Sequence, residues 1–251
     1  MNNKMESIIK PETEMTLEEF WQVADDTRLE TEYLTDQKLQ YLQSASLDVL
    51  QQICLQYRYF VRDYPNNLSI LISKADYGNF KSLMAQIMAE ELGNGRFKKT
   101  HLQLWDNFLT SIGIEPQILS DSLHAENFNL LAELKQLTLD KPIGYVIGLC
   151  GMGGECLCQI YLTAMYKYIT LNPYIQSNKE TIDWEFWNIH IGEEDIRHRV
   201  MVKNAINEII QAEPSNLQDL AAGYQKAKSN WDEFWGNNYK LAERVKLTAV
   251  Q

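Results

Sequence analysis

Between Lys141 and Lys167 the chain carries a single charged residue, Glu155, within "PIGYVIGLCGMGGECLCQIYLTAMYK". A stretch this apolar has to be covered on most of its sides, and without period-two alternation it reads as a central helix running from Pro142 to Leu171. Its lone carboxylate needs a partner, because an unpaired charge away from water is costly. A metal ion would supply one.

The rest of the chain reads as helices that surround that one. Thr16 followed three residues on by Glu19 is a capping-box pattern and starts a helix. Apolar residues at Leu47, Leu50, Ile53, Cys54, Tyr57 and Val61 keep helical spacing, with a stop and a turn expected at Pro65. Gly78 then separates "LSILISKA" from "NFKSLMAQIMAEEL", and "FKKTHLQLWDNFLTSIG" is expected to form a helix containing His101, closed by Gly113 and Pro116. "ENFNLLAELKQL", the segment from about Thr181 to Gln211 and the C-terminal "NLQDLAAGYQKAKSNWDEFWGNNYKLAERV" continue the pattern. The expected fold is all-α, a single helical domain over 1–251.

Composition excludes some functions. With 34 acidic against 23 basic residues, the formal charge of -11 disfavours nucleic acid or an anionic membrane as partner. No apolar run is expected to reach the roughly 18–20 residues of a bilayer span, and "MNNKMESIIKPETE" lacks a signal-peptide apolar segment. A cytoplasmic protein is expected. Cys54, Cys150, Cys156 and Cys158 lack C-x-x-C spacing and read as reduced core thiols.

Three of the four histidines fall near acidic residues. "EELGNGRFKKTH" places Glu91 ten residues before His101, and "EFWNIHIGEEDIRHR" holds His190 and His198 with Glu193, Glu194 and Asp195 between them; His124 is left over. On a regular helix His190, Glu194 and His198 lie at roughly 0°, 40° and 80°, so the three share a face, with Asp195 near 140°. Imidazole nitrogen and carboxylate oxygen suit non-haem iron, and zinc would also accept them. Either segment alone is equally a solvated charged face. The isolated Glu155 shifts the balance towards a metal.

The order Glu91, Gly93, Gly95, His101, then Glu155, then His190, Asp195 and His198 resembles the haem-oxygenase-like diiron oxidases and oxygenases, over roughly residues 50 to 205. "LQYRYFVRDYPNNLSILISKA" ahead of the first motif is similar to that family as well. The resemblance implies a bundle of about seven helices, two ferrous ions, dioxygen as cosubstrate, and Glu91, His101, Glu155, His190, Asp195 and His198 as ligands. It departs from the family pattern in one place: four residues, where three are usual, separate His190 from Asp195. Counting from His190 selects Glu194, counting back from His198 selects Asp195, and a π-bulge near Gly192 would reconcile the two with Asp195 as ligand. The family acts on small molecules, and an amino acid or its derivative is favoured, through desaturation, N-oxygenation, or C–C or C–N cleavage including nitrile formation in secondary metabolism. A homodimer and an external electron donor are compatible with it. Trp184, Phe186 and Trp187 read as core or as pocket lining. Competing readings are a fatty-acid oxidative decarboxylase of the same family, a metal-free thiaminase-like or quinone-cofactor-synthase-like relative, and a non-enzymatic binding module.

Overall fold

In the computed structural model, residues 15–119, 123–191 and 193–248 are described, the side chains of 193–199 and 246–248 excepted. The described residues form ten α-helical elements and no strand: α1 (Leu17–Leu39), α2 (Leu47–Lys74), α3 (Asn79–Glu91), α4 (His101–Ser111), α5 (Ala125–Asp140), α6 (Ile143–Thr170), α7 (Pro173–Asn178), α8 (Glu185–His190), α9 (Glu193–Ala212) and α10 (Asn216–Thr248). The all-α expectation holds. The count of about seven is close, since α7 and α8 are six residues each.

The capping box forms as the sequence indicates. The Thr16 N–H donates to Glu19 Oε2 at 2.7 Å and the Glu19 N–H donates to Thr16 Oγ1 at 3.2 Å, which satisfies two donors that the first helical turn leaves open.

Helix α6 is the centre. Its residues Ile147–Leu157 are π-helical, so Glu155 stands on a widened turn. Helix α10 crosses α6 at backbone contact: a Cβ on Gly148 would lie 2.2 Å from the Leu220 carbonyl oxygen, and one on Gly223 would lie 2.0 Å from that of Tyr145. Helices α2 and α9 cover further sides. By length and hydropathy α6 passes as a membrane span, contrary to the expectation that no run would, yet 67% of its most apolar window is buried within the bundle. One hydrophobic cluster extends from Phe20 to Ala242 around it.

Three boundaries differ from the expected ones. Helix α2 does not stop at Pro65 but runs through it to Lys74, with Leu68 and Leu71 fully buried beyond the proline. An interior proline costs about 3 kcal/mol, and burying two leucines, each worth about 1.5–3 kcal/mol, offsets that. His101 does not lie inside a helix that starts at Phe97. Phe97–Lys99 is a single 3₁₀ turn, and α4 opens at His101, with Thr100 as its N-cap accepting from the Gln103 N–H at 3.2 Å. Nor do His190 and His198 share one helix: α8 ends at His190, Ile191 leaves helical geometry at ψ 14°, and α9 starts at Glu193. The angular count across that segment therefore does not apply. The π-bulge expected near Gly192 falls on a residue outside the described ones, and π-helical geometry is found around Glu155, where it was not expected.

Candidate metal centre

Glu91 ends α3 and His101 begins α4, ten residues apart in sequence, and the turn between them brings them together. Gly93, Asn94 and Gly95 have φ of 74°, 51° and 79°, a left-handed run that reverses the chain. At Gly93 a Cβ would sit 2.4 Å from the Arg96 carbonyl oxygen and 2.7 Å from the Lys99 backbone, so glycine is required there for space as well as for φ. His101 Nδ1 ends 2.8 Å from Glu91 Oε2, with both side chains mostly buried. Behind His101, the Arg58 guanidinium grips the Asp106 carboxylate in a bidentate pair of 2.5 and 2.8 Å that ties α4 to α2.

His190 arrives from α8. Its Nδ1 lies 2.7 Å from the Phe186 carbonyl oxygen, a contact that requires Nδ1–H and makes Nε2 the lone-pair nitrogen, the tautomer a metal-binding imidazole needs. The Phe186 ring stacks on His190 at 4.1 Å between centroids, and the His101 and His190 rings stand 4.5 Å apart. Lys99 Nζ reaches Glu185 Oε1 at 2.5 Å, joining the turn that carries the first pair to the helix that carries His190. Exposed as it is, this pair contributes alignment more than stability. The donor atoms of Glu91, His101 and His190 all lie within 4.8 Å of one another, the spacing of groups that share one cation.

Glu155 faces the same cavity, of about 400 Å³, which is lined also by Tyr57, Phe60, Val61 and Tyr64 of α2. The buried phenol of Tyr64 donates a short hydrogen bond to Glu155 Oε1. Burial first, then the Glu155 and Glu91 carboxylates, push the Tyr64 phenol well above its ordinary range, so it remains a neutral donor. Gly154 makes room for it: a Cβ there would lie 2.5 Å from the Tyr64 ring and hydroxyl. Part of the partnership that Glu155 demands is thus protein-made. Tyr57, Phe60, Val61 and Tyr64 form an i, i+3, i+4, i+7 stripe that was readable in the sequence, but a helix stop expected at Pro65 hides its last member.

Of the remaining expected ligands, Glu194, Asp195 and His198 have side chains outside the described residues; their backbone forms the first turns of α9. His124 stays apart, at the start of α5, where it holds the exposed Glu126 carboxyl down to about 2. Phe186 lines the cavity and Trp187 is fully buried core, so the aromatic trio divides between the two roles considered for it. None of the four cysteines forms a disulfide, and burial pushes the Cys150 thiol up to about 11. Cys158 borders the cavity with its Sγ 3.2 Å from the Tyr57 hydroxyl.

The family profile described as iron-containing redox enzyme matches residues 51–231. No curated protein matches the chain. Solved structures share its fold at low identity. A CADD-like protein of unknown function from Nostoc punctiforme is 17% identical with TM-score 0.72, covering 90% of this chain and 99% of its own. A domain of unknown function with a heme oxygenase-like fold from Shewanella denitrificans is 12% identical with TM-score 0.69, covering 93% and 96%. A TenA homolog from Pseudomonas syringae pv. tomato is 11% identical with TM-score 0.64, covering 88% and 93%.

Proposed function

Because the chain belongs to the iron-containing redox enzyme family and has a haem-oxygenase-like fold, we propose that it is a non-haem diiron oxidoreductase that uses dioxygen to oxidise a small molecule, an amino acid or amino-acid derivative. The observation that carries this reading is the convergence of Glu91, His101 and His190 on the wall of a cavity that also holds Glu155. Two imidazoles and hard carboxylate oxygens are a donor set that fits ferrous iron. Glu91, His101, His190 and Glu155 would hold iron there, with Asp195 and His198 of α9, and Glu194 as substitute, completing a two-iron set. Ferrous iron held by these residues would supply the electrons needed to activate dioxygen.

The chain's own residues do the rest. Tyr64 fixes one Glu155 oxygen by donating to it, so that the other points with a single orientation. The Phe186 carbonyl keeps the His190 Nδ1 proton in place, and the Phe186 ring restricts the imidazole. Phe60, Val61, Leu162 and Trp231 give the cavity an apolar wall that excludes water from the reacting atoms. Arg96, exposed on the cavity's rim, offers a guanidinium to a substrate carboxylate, which supports an amino-acid-like substrate. Desaturation, N-oxygenation and C–C or C–N cleavage all begin from such a placement beside the metal.

The test is anaerobic reconstitution with ferrous iron followed by dioxygen. Tight iron binding, an optical change on oxygenation, and an increased rate of that change with a panel of amino acids are expected. Iron binding no greater than that of His101→Ala would remove the reading in favour of a metal-free relative or a binding module.

A further inference from the structure

Five rings capable of one-electron oxidation form an unbroken line from the cavity to the surface. Tyr57 is on the cavity wall. Its ring lies 5.1 Å from Trp105, Trp105 lies 5.3 Å from Trp187, Trp187 lies 5.5 Å from Tyr166, and Tyr166 lies 5.8 Å from Trp184, all between centroids. Trp105 and Trp187 are fully buried, whereas Tyr166 and Trp184 are partly exposed. At the inner end Phe186 touches both His190, at 4.1 Å, and Trp105, at 4.7 Å, so one ring separates the histidine from the line. A second branch from Tyr57, through Trp231 at 6.5 Å and Tyr161 to Trp235, ends on residues that are themselves buried.

Three of these side chains also make hydrogen bonds, Trp105 Nε1–H to the Cys54 carbonyl at 3.2 Å, Trp184 Nε1–H to the Lys179 carbonyl at 2.9 Å and the Tyr57 hydroxyl with Cys158 Sγ at 3.2 Å, but the buried Trp187 Nε1 has no hydrogen-bond partner among the described residues, so hydrogen bonding does not account for the line as a whole. What tyrosine and tryptophan add is an accessible one-electron oxidation, and electron tunnelling falls steeply with distance, so ring-to-ring contact at every step is the arrangement that makes hopping fast. We infer that Tyr57, Trp105, Trp187, Tyr166 and Trp184 conduct electrons between the cavity and the protein surface, which allows dioxygen to be reduced safely when no substrate is present. This rests on the cavity being an oxygen-activating site. Each transfer takes one electron from the inner rings, and the hole then moves outward by electron donation from Tyr166 and Trp184. Tyr57 on oxidation releases its phenolic proton into the cavity that it lines and regains it when Trp105 reduces it, and Tyr166 likewise releases its proton to solvent and regains it when Trp184 reduces it. A small one-electron reductant such as ascorbate refills Trp184. Four such electrons with four solvent protons convert one dioxygen to two waters.

Two arms of one experiment separate this from the metal reading. In the first, the iron-free full chain is photo-oxidised with tris(bipyridine)ruthenium and a sacrificial acceptor, and oxidised residues are mapped by peptide mass spectrometry. Oxidation at buried Trp105 is expected in the wild type, and it should fall at least five-fold in Trp187→Phe and in Tyr166→Phe, with Trp184 oxidation unchanged. The Tyr166 variant, altered at a partly exposed ring, covers the event that Trp187→Phe folds poorly. In the second, the ferrous-loaded chain meets dioxygen without substrate, and oxidation is expected at Trp184 in the wild type, retreating to Trp105 and Tyr57 when Trp187 is replaced. Equal Trp105 oxidation in all three proteins, or none in the wild type, in the first arm overturns the conducting line whatever the metal does. Absence of any iron-dependent oxidation in the second arm, with the first arm positive, overturns the link to dioxygen and counts against the metal reading.

Discussion

Glu91 and Glu155 face one cavity but are held there in opposite ways. Glu91 is placed by local chain geometry: a helix end, a left-handed glycine turn, and a histidine at the first position of the next helix. Glu155 is placed by long-range packing: a π-helical turn in the central helix, a missing Cβ at Gly154, and the phenol of Tyr64, ninety-one residues away. A local device tolerates change elsewhere in the fold and fails when its own turn is altered. A packed device fails when any of its distant contacts is altered.

The largest effects should come from the carboxylate and imidazole donors themselves. Glu155→Ala and His101→Ala are expected to lose at least one of the two irons proposed for the wild type while keeping its helical circular dichroism. Retention of full iron by both would break the comparison at its root, because neither device would then be serving a metal. Next come the α9 carboxylates. Asp195→Ala should lower iron content and oxygen-dependent turnover more than Glu194→Ala, with Glu193→Ala nearly silent, all measured at matched protein concentration. A dominant Glu193 effect would remove α9 from the site.

The turn supplies a sharper pair. Gly93→Ala has to place a Cβ against backbone at positive φ and should cost about 2–4 kcal/mol in denaturant unfolding. It should also lower iron affinity by separating Glu91 from His101. For the packed device, Tyr64→Phe removes the donor to Glu155 and is expected to weaken iron binding about 10-fold, the usual scale for a group that orients a ligand. Gly154→Ala should reproduce much of that loss by displacing the Tyr64 ring, and the double variant should cost less than the sum. Additive effects in a titration-calorimetry cycle would mean that Gly154 and Tyr64 act separately. The smallest effect belongs to Gly95→Ala. It has nearly the same positive φ as Gly93 but open space around its Cβ, so about 1 kcal/mol and unchanged iron content are expected.

The same contrast governs what can be read from the chain. Glu91, Gly93, Gly95 and His101 form a short pattern whose turn chemistry is written in residues that are adjacent, and the capping box at Thr16 is of the same kind. Glu155 was visible as a lone charge in an apolar helix, but its π-helical setting was not, because nothing local distinguishes a widened turn that tertiary packing enforces from a regular one. Tyr64 was missed for a related reason. Pro65 carries a strong local stop signal, and only the burial of Leu68 and Leu71 beyond it overrides that signal. At His190 the spacing irregularity was legible, whereas its resolution as an interrupted helix, with Ile191 out of helical geometry, depends on how α8 docks against α4.

The measurement closest to the central claim is ferrous iron stoichiometry after anaerobic reconstitution, in the wild type and in His190→Ala, followed by the optical change on adding dioxygen. Two irons per wild-type chain, a lower content in the variant, and an oxygen-dependent absorbance change seen at full amplitude only in the wild type are expected. No stoichiometric iron in the wild type, or equal iron and an equal oxygen response in both proteins, would contradict a metal centre built on Glu91, His101, His190 and Glu155.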